Sequence, residues 1–212
     1  MNAPYPWQNT PWQQLQQRRQ AGQLPHAMLL HGPAGIGKAD FADAIAHSLL
    51  CERPDDTGQA CGHCKACQLA QSENHPDYIA IQPEEPGKAI KIDQIRALIQ
   101  QVGLSTHFGG YRVIIIFAAE QMNLAAANSL LKTLEEPQAD TVIILVTSQI
   151  SRLPATIRSR CQMLRFAMPD AGSALAWLQQ QVSEEATALL GAANGAPLLA
   201  RQMATDETIQ LR

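Results

Sequence analysis

"GPAGIGKAD", residues 32–40, follows the apolar run Ala27–Leu30 and leads into Phe41, Ile45 and Leu49 at helical spacing. Strand, glycine-rich turn and helix in that order are the frame of a phosphate-binding loop. Its glycines let successive backbone N–H groups face phosphate oxygens, its lysine reaches the outer phosphates, and a following Ser or Thr hydroxyl ligates Mg²⁺. Gly32, Gly35, Gly37 and Lys38 supply the cradle, but position 39 is alanine. A methyl group ligates nothing.

A second metal-holding acid belongs at the tip of a buried strand. The β-branched run "YRVIIIFAA" (111–119) is such a strand, and it ends in Phe117, Ala118 and Ala119. Its first acid, Glu120, is expected to fall off the strand tip and not to substitute. Three readings stand at this point. The loop is a bare strand-to-helix turn, a cradle that holds ATP or ADP without cleaving it, or a competent hydrolase. Phosphoryl transfer leans on metal neutralisation, so the two missing contacts argue against the third.

Outward from the loop, strands and helices alternate. "DYIAIQ" (77–82) reads as a strand, and Ile92, Ile95, Leu98, Ile99 and Val102 share one helical face. Asn123 caps a helix with the stripe Leu124, Ala127, Leu130, Leu131 and Leu134, which Pro137 stops. "TVIILVTS" (141–148) and "QMLRFAM" (162–168) read as two further buried strands. Such alternation predicts an α/β fold, a parallel sheet flanked by helices. After Pro169 the texture is helical only, with a break at "NGAP" (194–197). A domain boundary is therefore expected near residue 168, between an α/β domain (1–168) and a small helical domain (169–212).

Four of five cysteines, Cys51, Cys61, Cys64 and Cys67, form C-x₉-C-x₂-C-x₂-C. Four thiolates with no open position describe a structural Zn²⁺ site. The run also suggests iron–sulfur ligation, but the usual fourth cysteine and proline are absent; four thiols without a metal are the remaining alternative. His63 is tightly held between Cys61 and Cys64 and is not expected to ligate, and Cys161 is expected in the core. Only Arg53 and Lys65 are cations in residues 51–72, and the net charge is −3. Both weigh against a nucleic-acid-binding zinc module and favour a scaffold role. There is neither a long apolar span nor a signal-like start, so a cytoplasmic protein without membrane contact is expected.

Two stretches are more specific, "NSLLKTLEEP" (128–137) and "LPATIRSRC" (153–161). With "HPDY" (75–78) and "YPW" (5–7) they resemble the bacterial clamp-loader branch of the AAA+ family, which serves DNA polymerase III. The resemblance covers essentially the whole chain. It implies a P-loop AAA+ domain with a zinc insert, a helical lid, and a further all-helical collar domain that these residues do not contain.

It also implies that Arg160, in Ser159-Arg160-Cys161, acts in trans as an arginine finger on a neighbouring subunit's ATP, with Arg158 as the alternative reach. Thr147 matches the polar position that senses a γ-phosphate, while Pro197 and Leu198 stand where active relatives carry a sensor arginine. The implied role is that of a non-hydrolysing subunit of the loader. Its partners would be the gamma/tau ATPase subunits and the clamp-opening delta subunit, with the sliding clamp and primer-template DNA reached through the complex. Arg112 and Lys132 are the candidates for DNA contact in the ring pore. The competing reading is an autonomous P-loop ATPase of weak activity.

Overall fold

The computed structural model describes residues 4–102, 106, 108, 110–182 and 185–210. Five strands, β1 (Ala27–His31), β2 (Tyr78–Ile81), β3 (Arg112–Ile116), β4 (Thr141–Thr147) and β5 (Gln162–Arg165), form one sheet in the order β2-β3-β4-β1-β5. Every pairing is parallel. Parallel neighbours need crossover connections, and helices provide them.

The two central apolar runs read as expected. β3 and β4 are buried at every position, because helices cover both faces. Alternate residues feed two cores. Val113, Ile115, Val142 and Ile144 pack with Phe41, Ile45 and Leu49 of α2 (Lys38–Leu50) and with Trp12 of α1 (Asn9–Gln20). Ile114, Ile116, Ile143 and Leu145 pack on the other face, against Ile95 and Leu98 of α4 (Ile92–Val102) and Leu130 and Leu134 of α5 (Leu124–Glu135). The side chain of Val102 lies outside the described residues.

Two sequence expectations change. The third run, 162–168, is not a buried strand: among the described residues β5 pairs only with β1, and Gln162, Met163 and Arg165 are exposed. Position at the sheet edge, not residue type, decides this. Leu124 is 69% exposed, because the first residue of α5 points beyond the sheet, although Asn123 Oδ1 does accept the Ala126 N–H at 2.8 Å as a cap.

Between α2 and β2 lies α3 (Lys65–Gln71), and after α5 the short helix α6 (Ala155–Arg158) precedes β5. Then α7 (Ala171–Leu178), α8 (Ala186–Ala192) and α9 (Pro197–Gln210) enclose a separate apolar cluster that includes Ala174, Leu178, Leu189 and Ala200. No helix among the described residues is long and apolar enough to cross a membrane.

Candidate functional site

β1 delivers the chain into the glycine loop, and α2 starts at Lys38 immediately after it. Gly37 has φ +85°, and a Cβ there would stand 2.4 Å from the Tyr5 ring. A Cβ on Gly32 would stand 2.1 Å from the Phe166 carbonyl oxygen. Both positions need glycine for close approach, and Gly37 also for its positive φ. The loop is pinned from outside: Trp7 Nε1 and Gln8 Nε2 donate to the Ile36 carbonyl at 3.0 and 3.1 Å, and Gln8 Nε2 also donates to the Gly37 carbonyl at 2.9 Å. "YPW" is thus a strap across the loop.

Gly35, Gly37, Lys38, Ala39, Thr147 and Ser148 line a cleft of about 280 Å³. Lys38 is only 5% exposed. Its Nζ donates to the Pro33 carbonyl and, at 3.1 Å, to Ser148 Oγ. Burial lowers its pKa to about 8, against the pull of the nearby Glu120 carboxylate. Thr147 is buried, and its Oγ1 accepts the Gln149 N–H at 3.0 Å.

Glu120 requires a correction, because it lines this cleft. Ala118 adopts a left-handed conformation (φ 48°, ψ 47°), and a 3₁₀ turn over Ala119–Gln121 folds the chain back from the end of β3. Glu120 Oε1 then accepts the Ser148 N–H at 3.3 Å, while Oε2 is buried without a hydrogen-bond partner. Glu120 and Asp40, whose Oδ2 accepts the Tyr5 hydroxyl at 3.1 Å, thus give the cleft two carboxylates, but at position 39 it presents only the methyl of Ala39.

On the far side, Leu198 lines the cleft and its N–H bonds the Gly35 carbonyl at 3.0 Å. The next arginine, Arg201, lies 5.5 Å over the ring of Trp177. Trp177 in turn stands edge-on to Tyr5 and Trp7, at 5.4 and 5.6 Å between centroids. The strap so touches both the loop and α7.

Cys51, Cys61, Cys64 and Cys67 bring four Sγ atoms within 4.8 Å of one another. The Cys51–Cys64 and Cys61–Cys67 sulfurs are 4.0 and 3.9 Å apart. A tetrahedron with metal–sulfur bonds of zinc length has edges of about 3.8 Å, so the cluster fits a metal ion. Backbone N–H groups of Cys61, Cys64 and Cys67 aim at the sulfurs of Cys51, Cys61 and Cys64. Those of His63 and Cys64 hold the Cys61 thiol down at about 6, while burial pushes Cys51 and Cys67 up. The loop that returns the chain to Cys61 is fastened to α1, where Trp12 Nε1 donates to the Thr57 carbonyl at 2.9 Å. His63 turns away, its Nδ1 2.8 Å from the Cys61 carbonyl. Cys161 is a core residue whose thiol burial pushes up to about 11.

Arg160 follows α6 and is partly exposed. Its Nε and Nη2 donate to Glu135 Oε1, the first at 2.7 Å, and Nη1 donates to the Thr156 carbonyl at 2.9 Å. Arg112, by contrast, is buried against Asp77 at 3.3 Å, so it is no surface contact for DNA; Lys132 is exposed. "HPDY" is likewise structural: His75 Nδ1 accepts the Asp77 N–H at 3.1 Å, and both side chains are buried.

A parallel sheet in this order, with a glycine cradle and helices α7–α9 closing on it, defines a P-loop module of the AAA+ type. Solved structures agree on the fold. A DNA polymerase III gamma subunit-related protein from Thermotoga maritima superposes with a TM-score of 0.62 at 21% identity, over 93% of this chain and 60% of that one. The RuvB Holliday junction branch migration motor of the same organism gives 0.56 at 18% identity, over 90% and 57%. More particularly, residues 7–170 match the profile of the family described as DNA polymerase III, delta subunit, and the chain belongs to that family. It is 46% identical to the DNA polymerase III subunit delta' of Pseudomonas aeruginosa over 203 residues, 94% of this chain and 61% of the relative. It is 38% identical to that of Escherichia coli over 188 residues, 89% and 56%. The chain thus spans about three fifths of the length of these relatives.

Proposed function

We propose that the chain is a clamp-loader subunit that hydrolyses no nucleotide itself and offers Arg160 to ATP held by a neighbouring subunit. The observation that carries this reading is the methyl of Ala39 in the cleft, where the loop reserves a metal-binding hydroxyl. Glu120 and Asp40 supply carboxylates nearby, yet Glu120 is tied at one oxygen to the β4 tip and Asp40 to the Tyr5 hydroxyl, and without a hydroxyl at position 39 they do not assemble the metal clamp of phosphoryl transfer. The retained Lys38 and glycines suit a cradle that holds ATP or ADP phosphates without breaking them. An arginine is fitted to the trans role because it is permanently charged and forks onto phosphate oxygens.

Family membership and the naming of the relatives support the rest. The partners are the gamma/tau ATPase subunits and the delta subunit, with the sliding clamp and primer-template DNA handled by the complex. Residues 1–168 form the AAA+ domain and 169–212 the lid, in a cytoplasmic assembly. Zn²⁺ is the ion of the cysteine cluster: four thiolates leave no open position, so it would fasten the loop 51–67 and do no chemistry.

The test is ATP turnover by the reconstituted complex. Arg160→Ala should lower it by about a hundredfold or more, and Lys38→Ala should not. An unchanged rate with Arg160→Ala removes the finger, and Mg²⁺-dependent turnover by the chain alone removes the non-hydrolysing role.

A further inference from the structure

The Arg160 guanidinium is not left to find its own direction. Glu135 Oε1 takes both Nε and Nη2, and the Thr156 carbonyl takes Nη1, so all three nitrogens are engaged while part of the donor fork is left over. Both anchors stand on fixed backbone. Glu135 follows Leu134, 1% exposed, whose carbonyl is 3.0 Å from His26 Nε2. Thr156 precedes Ile157, which is fully buried in the same apolar cluster as Leu134. The core therefore sets the distance from α5 to α6, and with it the place where the arginine is held.

Glu135 is also in a place that helix physics disfavours. It is the last residue of α5, where backbone carbonyls leave a partial negative charge and a cation would be preferred. Its partner answers that cost across space. The pair is exposed enough, at 49% for the Glu135 side chain and 30% for Arg160, that it adds little to stability. What it restricts is the set of rotamers open to a long cationic side chain.

We infer that Glu135 is a positioning residue for Arg160: the carboxylate at the end of α5 pre-aims the guanidinium toward the neighbouring subunit's phosphates. This rests on the trans-finger reading above. Glu135 touches no substrate itself; it acts by holding the arginine in one orientation before the subunits meet.

The experiment is a double-mutant cycle on the reconstituted complex, read as kcat and KM for ATP together with thermal unfolding. Glu135→Ala should lower kcat about three- to tenfold with KM unchanged, and the unfolding midpoint should barely move. Glu135→Gln keeps an acceptor oxygen and should recover part of the rate. In the Arg160→Ala background Glu135→Ala should have no further effect. Full activity in Glu135→Ala, with Arg160→Ala still impaired, overturns the positioning role and leaves the finger standing. Equal losses in both backgrounds also overturn it, since Glu135 then acts elsewhere. If Arg160→Ala is itself without effect, the finger reading fails and this inference falls with it.

Discussion

Lys38 on α2 donates to Ser148 at the tip of β4, 3.1 Å away. The same ammonium bonds the carbonyl of Pro33 within its own loop. The lysine that would meet a phosphate is thus already satisfied by protein oxygens, and a ligand has to compete for it.

That arrangement has a cost that depends on pH. Burial lowers the Lys38 pKa from 10.5 to about 8, so the folded state disfavours the charged form. Below about pH 8 both folded and unfolded chains carry the proton and the penalty is constant. Between about 8 and 10.5 the unfolded chain holds the proton longer, and stability from this group rises with pH. Lys38→Met is expected to stabilise the chain at pH 7 by about 1 kcal/mol, the relief of a desolvated ammonium less its two hydrogen bonds. That gain should vanish by pH 10.5 in denaturant titrations.

Metal removal should act locally. Chelation, or Cys61→Ser, is expected to release the loop 51–67 and lower the unfolding midpoint, with the strands of the sheet retained. Elemental analysis should find about one Zn²⁺ per chain, unchanged in Cys161→Ala because that thiol belongs to the core.

The buried pair Arg112–Asp77 should behave asymmetrically. Asp77→Ala removes the carboxylate beside a guanidinium that is 3% exposed, and a loss of about 3–5 kcal/mol is expected from urea unfolding. Replacing both residues with apolar ones of similar size should cost much less.

Gly37→Ala combines a positive φ with a Cβ placed 2.4 Å from the Tyr5 ring. It should destabilise by about 2 kcal/mol or more. Gly22→Ala, with φ +68° and open space around it, should show the conformational part alone. The difference between the two measures how tightly the strap sits.

The sequence was most legible where one physical effect dominates. Runs such as Val113–Ile116 and Val142–Val146 have no polar face, so they had to lie between two helical layers. The four cysteines converge as their C-x₂-C spacing implies, because each such step sets two sulfurs side by side. The place of Glu120 is not legible in the sequence, because it depends on the left-handed Ala118 and a 3₁₀ turn, and no side-chain pattern announces either. The burial of Arg112 escapes the sequence for another reason. The parallel register sets Tyr78 beside Val113, and so brings Asp77 and Arg112 together from 35 residues apart. Contacts of that kind belong to topology, and β5 shows the same: its residues look apolar enough for a centre strand, but nothing pairs with its outer edge among the described residues.

The aromatic group built from Tyr5, Trp7 and Trp177 gives the molecule an optical hinge gauge. Two indoles 5.6 Å apart, one fixed to the glycine loop and one to α7, will couple electronically only while the helical cap is seated. Tilting of that cap would then register as a change in near-ultraviolet dichroism or tryptophan emission, with no added label.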